Sequence, residues 1–409
     1  MHNRTLSGCL ILLLATAAFA QDEVDILSRT PFTPGARAAG MAGAFSALAD
    51  DYTALYYNPA GLAGMKRMEL SASGYIGFAG NEADIGPGSA MTTDDSFAGL
   101  SHLGLVLPLP VYRGGISFAL GYHRLVDFHQ PYGVYGGANS ETRVEEEGGV
   151  SAWAFGFGFQ MSRRFWGGLT LELLTGEEKY LFTNETSQWD EREFSHLALT
   201  GTRLTLGGLF HLTDQFRAAM QVRTPVKYNL TWEEYHYALD YTDPTRTDES
   251  ESAPGYEYKI KIPFELTTGV AWKGRWLSLD ADFIFTDWSQ AQYDDYFEDT
   301  FFEANQSIGR DYKPRLGMRL GAEYNIPTTD LMLRAGVARY PLAGPAEELT
   351  PRVLVTGGIG YLIDQVIDLN LAIGYQRSEF EYGIGDGVTL HEDRSSMLIR
   401  CGFYYRFQP

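Results

Sequence analysis

Alternation of apolar and polar side chains dominates the chain from residue 67 onward. In one stretch, Leu277, Leu279 and Phe283 occupy odd positions while Asp280 and Asp282 occupy even ones. Successive side chains of a β-strand point to opposite faces, so this period of two predicts strands with one apolar and one polar face. Most of the fourteen stretches reach the ~9–11 residues that a tilted strand needs to cross a bilayer. They lie near 67–79, 98–110, 114–126, 149–161, 164–176, 196–212, 215–232, 255–272, 275–288, 311–325, 330–341, 350–363, 366–381 and 394–407.

The connections between these stretches alternate between short turns and long polar loops. Outer-membrane barrels sort their connections in this way, with short periplasmic turns and longer extracellular loops. We therefore predict an all-β fold, a 14-stranded antiparallel transmembrane β-barrel over residues 67–409. It would lie in the outer membrane of a Gram-negative-type cell, with the long loops extracellular and both termini periplasmic. The long loops are predicted near 80–97, 127–148, 177–195, 233–254, 289–310, 342–349 and 382–393.

In such a barrel the apolar face of each strand meets lipid and the polar face lines the lumen. We assign the alternating apolar residues of 256–272 to the lipid face, because Glu257, Lys259 and Lys261 lie between them. An open sheet edge is not tolerated in hydrocarbon, so the first strand is expected to pair with the last. The charged residues predicted to line the lumen are Asp280, Asp282, Arg315, Arg319, Arg334 and Arg400.

Residues 1–20 have the features of a secretory signal peptide. Arg4 precedes the apolar run 10–18, and Ala18-Phe19-Ala20 forms an A-x-A cleavage site. After this segment no run approaches 18 apolar residues, so no transmembrane helix is expected. The remaining chain holds one cysteine, Cys401, and cannot form an internal disulfide. The formal net charge of −20 argues against nucleic acid as a partner.

Residues 21–66, between the signal peptide and the first strand, include a Gly/Ala-rich run at 35–64. A wide barrel leaves its lumen open unless something fills it, so we interpret residues 21–66 as a hatch that plugs the barrel. Proline fixes its own φ and asparagine bonds nearby backbone groups, which together predict a defined turn at Asn58-Pro59. The hatch is either a fixed plug or one whose movement opens a path, and its acidic and basic residues are expected to pair with lumen charges. The residues assigned to the hatch and its gating are Asn58, Pro59, Ala60, Gly61, Arg37, Asp50 and Asp51.

The run GARAAGMAGAFSALADDYTALYYNPAGLAG at 35–64 resembles the hatch of the FadL/TodX family, and Asn58-Pro59-Ala60 matches that family's NPA motif. Further stretches are similar to that family at 277–290, 314–324, 331–345 and 367–376. The resemblance implies a fourteen-stranded outer-membrane transporter of hydrophobic compounds. In that family the ligand binds inside the barrel and leaves sideways, beside a kinked strand, after the hatch moves. PorV-like barrels, which are partners in outer-membrane protein secretion, share the hatch signature.

Lateral release beside a kink requires a weak point in one strand. The candidate positions are Gly114-Gly115 and Gly121 in the third predicted strand, because glycine weakens a strand ladder. The other reading of these glycines is that they are ordinary small residues of the wall.

Apolar hatch residues can contact a hydrophobic ligand or pack against the barrel wall. The lumen arginines can hold the carboxylate head of a fatty acid or pair with lumen acids. Acidic runs such as 145–147 are typical of a solvated surface, with divalent-cation binding as the alternative. The candidate ligand contacts are Phe45, Leu48, Leu55, Tyr56 and Leu62.

We expect a passive outer-membrane channel for hydrophobic small molecules, such as long-chain fatty acids or hydrocarbons, and not an enzyme. The histidines are scattered, and neither a GxSxG nor an HExxH pattern occurs. The expected partners are outer-membrane lipid and a hydrophobic ligand, with no cofactor and no metal. The alternative is a PorV-like barrel that acts as a partner in outer-membrane protein secretion or surface attachment.

Overall fold

Eighteen hydrogen-bonded segments form the fourteen strands of the computed structural model, because four strands consist of two segments each. The structure describes residues 27, 31–84, 86, 90–135, 140–186, 189–240, 247–294, 298–341, 351–383 and 389–408. The predicted signal peptide at 1–20 lies outside these residues. The strands are β1 Glu69–Asp84, β2 Met91–Leu109, β3 Ile116–Asp127 with Gln130–Tyr135, β4 Ser140–Gln160, β5 Phe165–Thr186, β6 Trp189–His211, β7 Phe216–Arg223 with Val226–Asp240, β8 Thr247–Ile262 with Glu265–Lys273, β9 Leu277–Asp287 with Gln292–Tyr293, β10 Pro314–Asn325, β11 Leu331–Tyr340, β12 Arg352–Ile363, β13 Ile367–Gly383 and β14 Thr389–Arg406.

Each strand pairs antiparallel with its neighbours in the chain, and the sheet closes on itself. The closing pair is β1 with β14, whose register runs from Glu69↔Arg406 to Asp84↔His391. The predicted closed antiparallel barrel of fourteen strands is confirmed. We call the end with the six short connections the turn end and the opposite end the loop end. Among the helices that the structure describes, none is both long and apolar enough to cross a membrane.

The strands at the loop end are longer than predicted. β6 has 23 residues, which at ~3.3 Å per residue is roughly 75 Å, well beyond a hydrocarbon core ~30 Å thick. The predicted loops near 127–148 and 177–195 are therefore largely strand. Alternation continues through their charged residues, since Val144 and Glu146 are buried while Glu145 is exposed. The excess length on this side comes from extended hairpins and not from irregular loops.

The assignment of faces is confirmed in β9 and corrected in β8. Leu279 and Phe283 are 43% and 41% exposed on the outer face, whereas Asp280 and Asp282 are buried in the lumen. In β8 the predicted lipid-facing set is wrong for its loop-end segment, because Ile260 is fully buried inside the barrel.

Prolines cause this change of face in β7 and β8. β7 is interrupted at Thr224-Pro225 and β8 at Pro263-Phe264, where a missing backbone N–H removes ladder hydrogen bonds. In both strands the inward-facing positions have odd numbers in the turn-end segment and even numbers in the loop-end segment, so that Tyr228 and Tyr258 face inward. The loop-end half of this wall consequently has an apolar inner face.

Residues 31–66, which we call the inner segment, lie inside the barrel. They contain the short helices α1 (Ala36–Ala39) and α2 (Ala54–Tyr57) and a 3-10 helix at Pro59–Gly64. Their backbone accepts hydrogen bonds from wall side chains on opposite sides of the lumen, including Thr170 of β5 and Thr356 of β12. A further helix, α3 (Glu298–Asp311), joins β9 to β10, and its Phe301 stacks on Tyr293 with ring centroids 4.7 Å apart.

Candidate functional site

Asn58 ties two parts of the inner segment to the barrel wall. Its Nδ2 donates to the carbonyl oxygens of Ser46 and Gly208, each at 3.1 Å. Its Oδ1 accepts from the backbone N–H of Ala60 at 3.1 Å and so caps the 3-10 helix that begins at Pro59. The side chain is fully buried with all of these groups satisfied, so the NPA motif forms the predicted turn and also an anchor to β6.

Around Ala60 and Gly61 the backbone of the inner segment is in close contact with Ala49 of the same segment and with Gly168 of the wall strand β5. A Cβ added at Gly61 would stand 2.0 Å from the carbonyl oxygen of Ala49. A Cβ added at Gly168 of β5 would stand 2.2 Å from the carbonyl carbon of Pro59. These contacts need glycine because the chains approach more closely than any Cβ permits.

An ion-pair cluster holds the inner segment at the turn end. Arg37 pairs with Asp50 at 2.5 Å and lies 3.6 Å from Asp51, while Lys273 of β8 reaches Asp50 at 3.0 Å. Burial opposes the charge on Asp50, but Arg37 and Lys273 outweigh it and hold the pKa of Asp50 well below its usual range. The hatch charges thus pair with charged wall residues, but the wall partner of Asp50 is Lys273, which is not among the predicted lumen charges.

Glu323 of β10 extends this cluster into the wall. It accepts hydrogen bonds from Arg37 at 2.9 Å and from Arg334 of β11 at 2.7 Å. Arg334 also donates to Asn370 of β13 at 2.6 Å. Sequence reasoning placed Arg334 in the lumen but missed Glu323, because the partner of Arg37 depends on strand register and carries no local signal.

Other predicted lumen charges bind the backbone of the inner segment. Asp282 accepts from the N–H groups of Phe45 at 3.1 Å and Ser46 at 3.3 Å, and from the Ser46 hydroxyl. Asp280 accepts from the N–H of Ala47 at 3.2 Å. Arg319 donates to the carbonyl oxygen of Gly43 at 3.3 Å. These side chains stabilise the turns of the segment, since buried backbone groups need partners.

On the loop-end side of the inner segment, described residues of the lumen line a pair of separate cavities. The Tyr56 cavity, of about 140 Å³, is lined by residues that include Tyr56, Arg315 and Pro263. The Arg400 cavity, of about 120 Å³, is lined by residues that include Arg400 and Phe32. Arg315 and Arg400, the last two predicted lumen charges, therefore line separate cavities.

The candidate ligand contacts of the inner segment differ in whether they are buried in the core or line a cavity. Phe45, Leu48, Leu55 and Leu62 are buried to 2% exposure or less and pack into the core against the wall. Tyr56 lines the Tyr56 cavity, and the guanidinium carbon of Arg223 lies 4.3 Å from its ring centroid. Tyr56 is the one member of this set that adjoins a described cavity.

β3 leaves the barrel wall part of the way along its length. Its pairing with β2 runs from Leu109↔Ile116 to His102↔His123 and then stops. Beyond this point β2 remains paired with β1 on its other side. Likewise, β3 remains paired with β4, after a register shift between Arg124 and Val126. Phe128, between the two segments of β3, is fully buried in the lumen. Among the described residues, β2 and β3 therefore share no ladder of backbone hydrogen bonds toward the loop end.

Side chains occupy this break in the wall. The Tyr75 hydroxyl of β1 donates to Asp127 of β3 at 2.6 Å. Phe97 of β2 stacks on His129 with ring centroids 4.4 Å apart. The start of the inner segment also reaches the break, since the N–H of Phe32 donates to the carbonyl oxygen of Leu125 at 2.7 Å. The break is thus closed by side chains, which can move without breaking a strand ladder.

The break does not lie at the glycines suggested from the sequence. Gly114, with φ +82°, belongs to the turn before β3, and Gly121 pairs regularly with Gly104. Gly148 and Gly149 of β4 lie opposite the break with φ of +113° and +149°, which only glycine adopts easily. A Cβ added at Gly149 would stand 2.3 Å from the carbonyl oxygen of Val126. The pair Gly148-Gly149 is the sequence feature that marks the break between β2 and β3, and it was not identified from the sequence.

A buried polar network on the wall was also missed. Glu172 of β5 accepts from Arg203 at 2.7 and 3.0 Å and from Thr205 at 3.2 Å, and it lies 3.0 Å from His123 Nε2. These residues belong to three strands and are far apart in sequence. Among the residues that the structure describes, no three potential metal ligands converge on one point.

The comparisons with known proteins agree with this architecture. The family model described as BamG matches residues 31–332, about three quarters of the chain. The chain is similar in structure to the Pseudomonas putida toluene transporter TodX (TM-score 0.66, 15% identity, 92% of this chain and 99% of that one covered). It is similarly close to a Pseudomonas aeruginosa FadL homologue (0.65, 14%, 92% and 99%) and to the CymD monoaromatic hydrocarbon channel (0.62, 15%, 92% and 98%). No curated protein sequence matches significantly.

Proposed function

Because the chain belongs to the BamG family and has the barrel fold of FadL and TodX, we propose that it is an outer-membrane channel for passive uptake of hydrophobic small molecules. The cargo class is long-chain fatty acids or hydrocarbons. The turn end and both termini face the periplasm, and the loop end faces the exterior. Lipid surrounds the apolar outer face. The inner segment, with the preceding residues from 21, acts as the hatch that follows a signal peptide at 1–20.

The observation that carries this proposal is the break between β2 and β3 beside a lumen cavity. Phe97 and His129, which stack across the break, both line the Arg400 cavity. A ligand in that cavity is separated from the membrane by side chains and not by paired backbone. Rotation of these side chains opens a lateral path at the cost of a few packing contacts, whereas opening a paired wall would expose backbone groups to hydrocarbon.

The Asn58-Pro59-Ala60-Gly61 turn and the pairs made by Arg37, Asp50 and Asp51 keep the hatch closed at the turn end. In this role they prevent leakage of water and ions through the lumen. Tyr56 contacts ligand, while Phe45, Leu48, Leu55 and Leu62 shape the hatch.

An uptake assay with wall variants tests the proposal. In a Gram-negative host that lacks its own fatty-acid channel, expression of the protein should raise uptake of radiolabelled dodecanoate and toluene. Gly148→Ala with Gly149→Ala should lower uptake, because both positions need φ values that alanine adopts poorly and the break depends on them. Gly357→Ala in β12 is the matched control, since its added Cβ has 3.9 Å to the nearest atom. Uptake that does not exceed the empty-vector level would refute the proposal.

A second candidate function is that of a PorV-like partner in outer-membrane secretion or surface attachment. The observation that favours it is the dense packing of the inner segment, whose residues from 32 to 63 are nearly all buried. Stoichiometric co-purification of one secretion protein, together with unchanged uptake in a deletion strain, would support this function over transport.

A further inference from the structure

Arg400 is a buried cation without an anion. It belongs to β14, is 3% exposed and points into the lumen between Tyr75 of β1 and Ala372 of β13. Its Nε has no hydrogen-bond partner, and no described carboxylate lies within ion-pair distance. Its guanidinium carbon lies 4.4 Å from the ring centroid of Phe32, at the start of the inner segment.

Two other buried lumen arginines pair with carboxylates, and Arg319 donates instead to the Tyr340 hydroxyl and the Gly43 carbonyl oxygen. Arg203 pairs with Glu172 at 2.7 Å, and Arg223 pairs with Glu265 at 2.5 Å. A buried charge is tolerated when it is paired and is costly when it is not. A cation–π contact compensates only part of that cost. Arg400 therefore differs from Arg203 and Arg223 in lacking a carboxylate partner from this chain.

The cavity beside Arg400 has a positive lining. Arg352 and Arg394 line it together with Arg400, and Arg394 already pairs with Glu392. The chain as a whole has a net charge of −20, so a positive cavity runs against its overall composition.

Asp127 is the one carboxylate among the described residues that line this cavity, and it is already satisfied. It accepts from the Tyr75 hydroxyl at 2.6 Å, contacts His129 Nδ1 at 2.7 Å and pairs with Arg124 at 2.9 Å. Nothing in the lining is therefore left to neutralise Arg400.

We propose that the Arg400 cavity binds the anionic head group of an amphiphile, with Arg400 as the partner of that anion. A guanidinium matches the oxygen geometry of carboxylate and phosphate heads alike. The volume of about 120 Å³ accommodates such a head and a few carbons, and Phe97, Leu354 and Leu398 add apolar surface for the tail. This inference deepens the proposed function, because it identifies the cargo of this cavity as a hydrophobic anion and not a neutral hydrocarbon.

A binding measurement on the full mature protein in zwitterionic nanodiscs tests the inference without requiring transport. Calorimetry would compare dodecanoate, dodecyl phosphate and the neutral dodecanol. Arg400→Met should weaken binding of the matching anion about tenfold or more, equivalent to ~1.4 kcal/mol or more, and leave dodecanol binding unchanged. Arg400→Lys should keep part of the affinity because it keeps the charge. Preference for dodecanoate over dodecyl phosphate, or the reverse, identifies the head group.

Arg377→Met is the matched control, since that arginine of the adjacent strand β13 is exposed and lines neither cavity. Anion binding that is equal in Arg400→Met and wild type, or that falls as far in Arg377→Met, would overturn the inference. Arg400→Met should also raise the Tm of the ligand-free protein, because it removes an unpaired buried charge. Failure of the proposed function has a different signature: wild-type protein would bind dodecanoate through Arg400 and yet import neither dodecanoate nor toluene.

Discussion

The two halves of the lumen differ in how their space and charges are used. At the turn end, Arg37, Asp50 and Glu323 form a continuous ion-pair cluster beside an open pocket of about 450 Å³, and the inner segment packs closely against glycines of the wall. At the loop end, β3, β7 and β8 are interrupted, two cavities remain, and Arg400 has no carboxylate partner. We therefore propose that the turn end closes the barrel and that the loop end binds the ligand.

The largest effect is expected from removing the wall partner of the turn-end cluster. Glu323→Ala leaves Arg37 and Arg334 buried without their shared anion, which should lower the free energy of unfolding by about 3–5 kcal/mol. Urea unfolding in lipid vesicles, followed by tryptophan fluorescence, measures this. Asp393→Ala removes an exposed pair with Arg377 at the loop end and should cause no measurable change. Equal losses in both variants would remove the distinction between the halves.

A smaller loss is expected from filling the closest contact of the inner segment. Gly61→Ala places a Cβ against the carbonyl oxygen of Ala49, and overpacking of this kind should cost about 3 kcal/mol. The same unfolding assay applies. Gly309→Ala in α3 is the control, because no atom lies within 4 Å of its added Cβ and alanine favours helix. If Gly61→Ala unfolds like the wild type, the contact between Gly61 and Ala49 has room for a methyl group.

Removing the Asn58 side chain should destabilise the inner segment and allow ions to leak through the lumen. Asn58→Ala removes the cap on Ala60 and leaves the carbonyl oxygens of Ser46 and Gly208 without their donor, a loss of about 2 kcal/mol. In planar bilayers the variant should show higher single-channel ion conductance than wild type. Asn229→Ala, on the exposed face of β7, should leave conductance unchanged. Unchanged conductance in Asn58→Ala would mean that this anchor does not keep the lumen closed.

The smallest expected effect is a difference in the rate of backbone amide exchange between two parts of β3. Backbone amides of 124–129, beside the break in the wall, should exchange with deuterium faster than those of 116–123 in the paired part of the same strand. Mass spectrometry of protein in nanodiscs resolves the two peptides. Slower exchange at 124–129 would indicate a rigid wall at that place.

The barrel was predictable from the sequence because a period of two survives in nearly every strand, as Leu279, Asp280 and Phe283 illustrate. The change of face at Pro225 and Pro263 was not, since the apolar residues Tyr258 and Ile260 have the same pattern whether they face lipid or a dry lumen. The turn at Asn58-Pro59 followed from local chemistry. The partner of Arg37 and the isolation of Arg400 depend on strand register, which only the folded barrel specifies.

The most direct test of this account is to locate a heavy-atom ligand inside the barrel. Crystals grown with bromododecanoate would be measured at the bromine absorption edge. We expect a carboxylate at Arg400 and a bromine peak within the loop-end half of the lumen or in the break between β2 and β3, with residues 31–66 still filling the turn end. Bromine in the turn-end half, or only on the outer surface of the barrel, would contradict it.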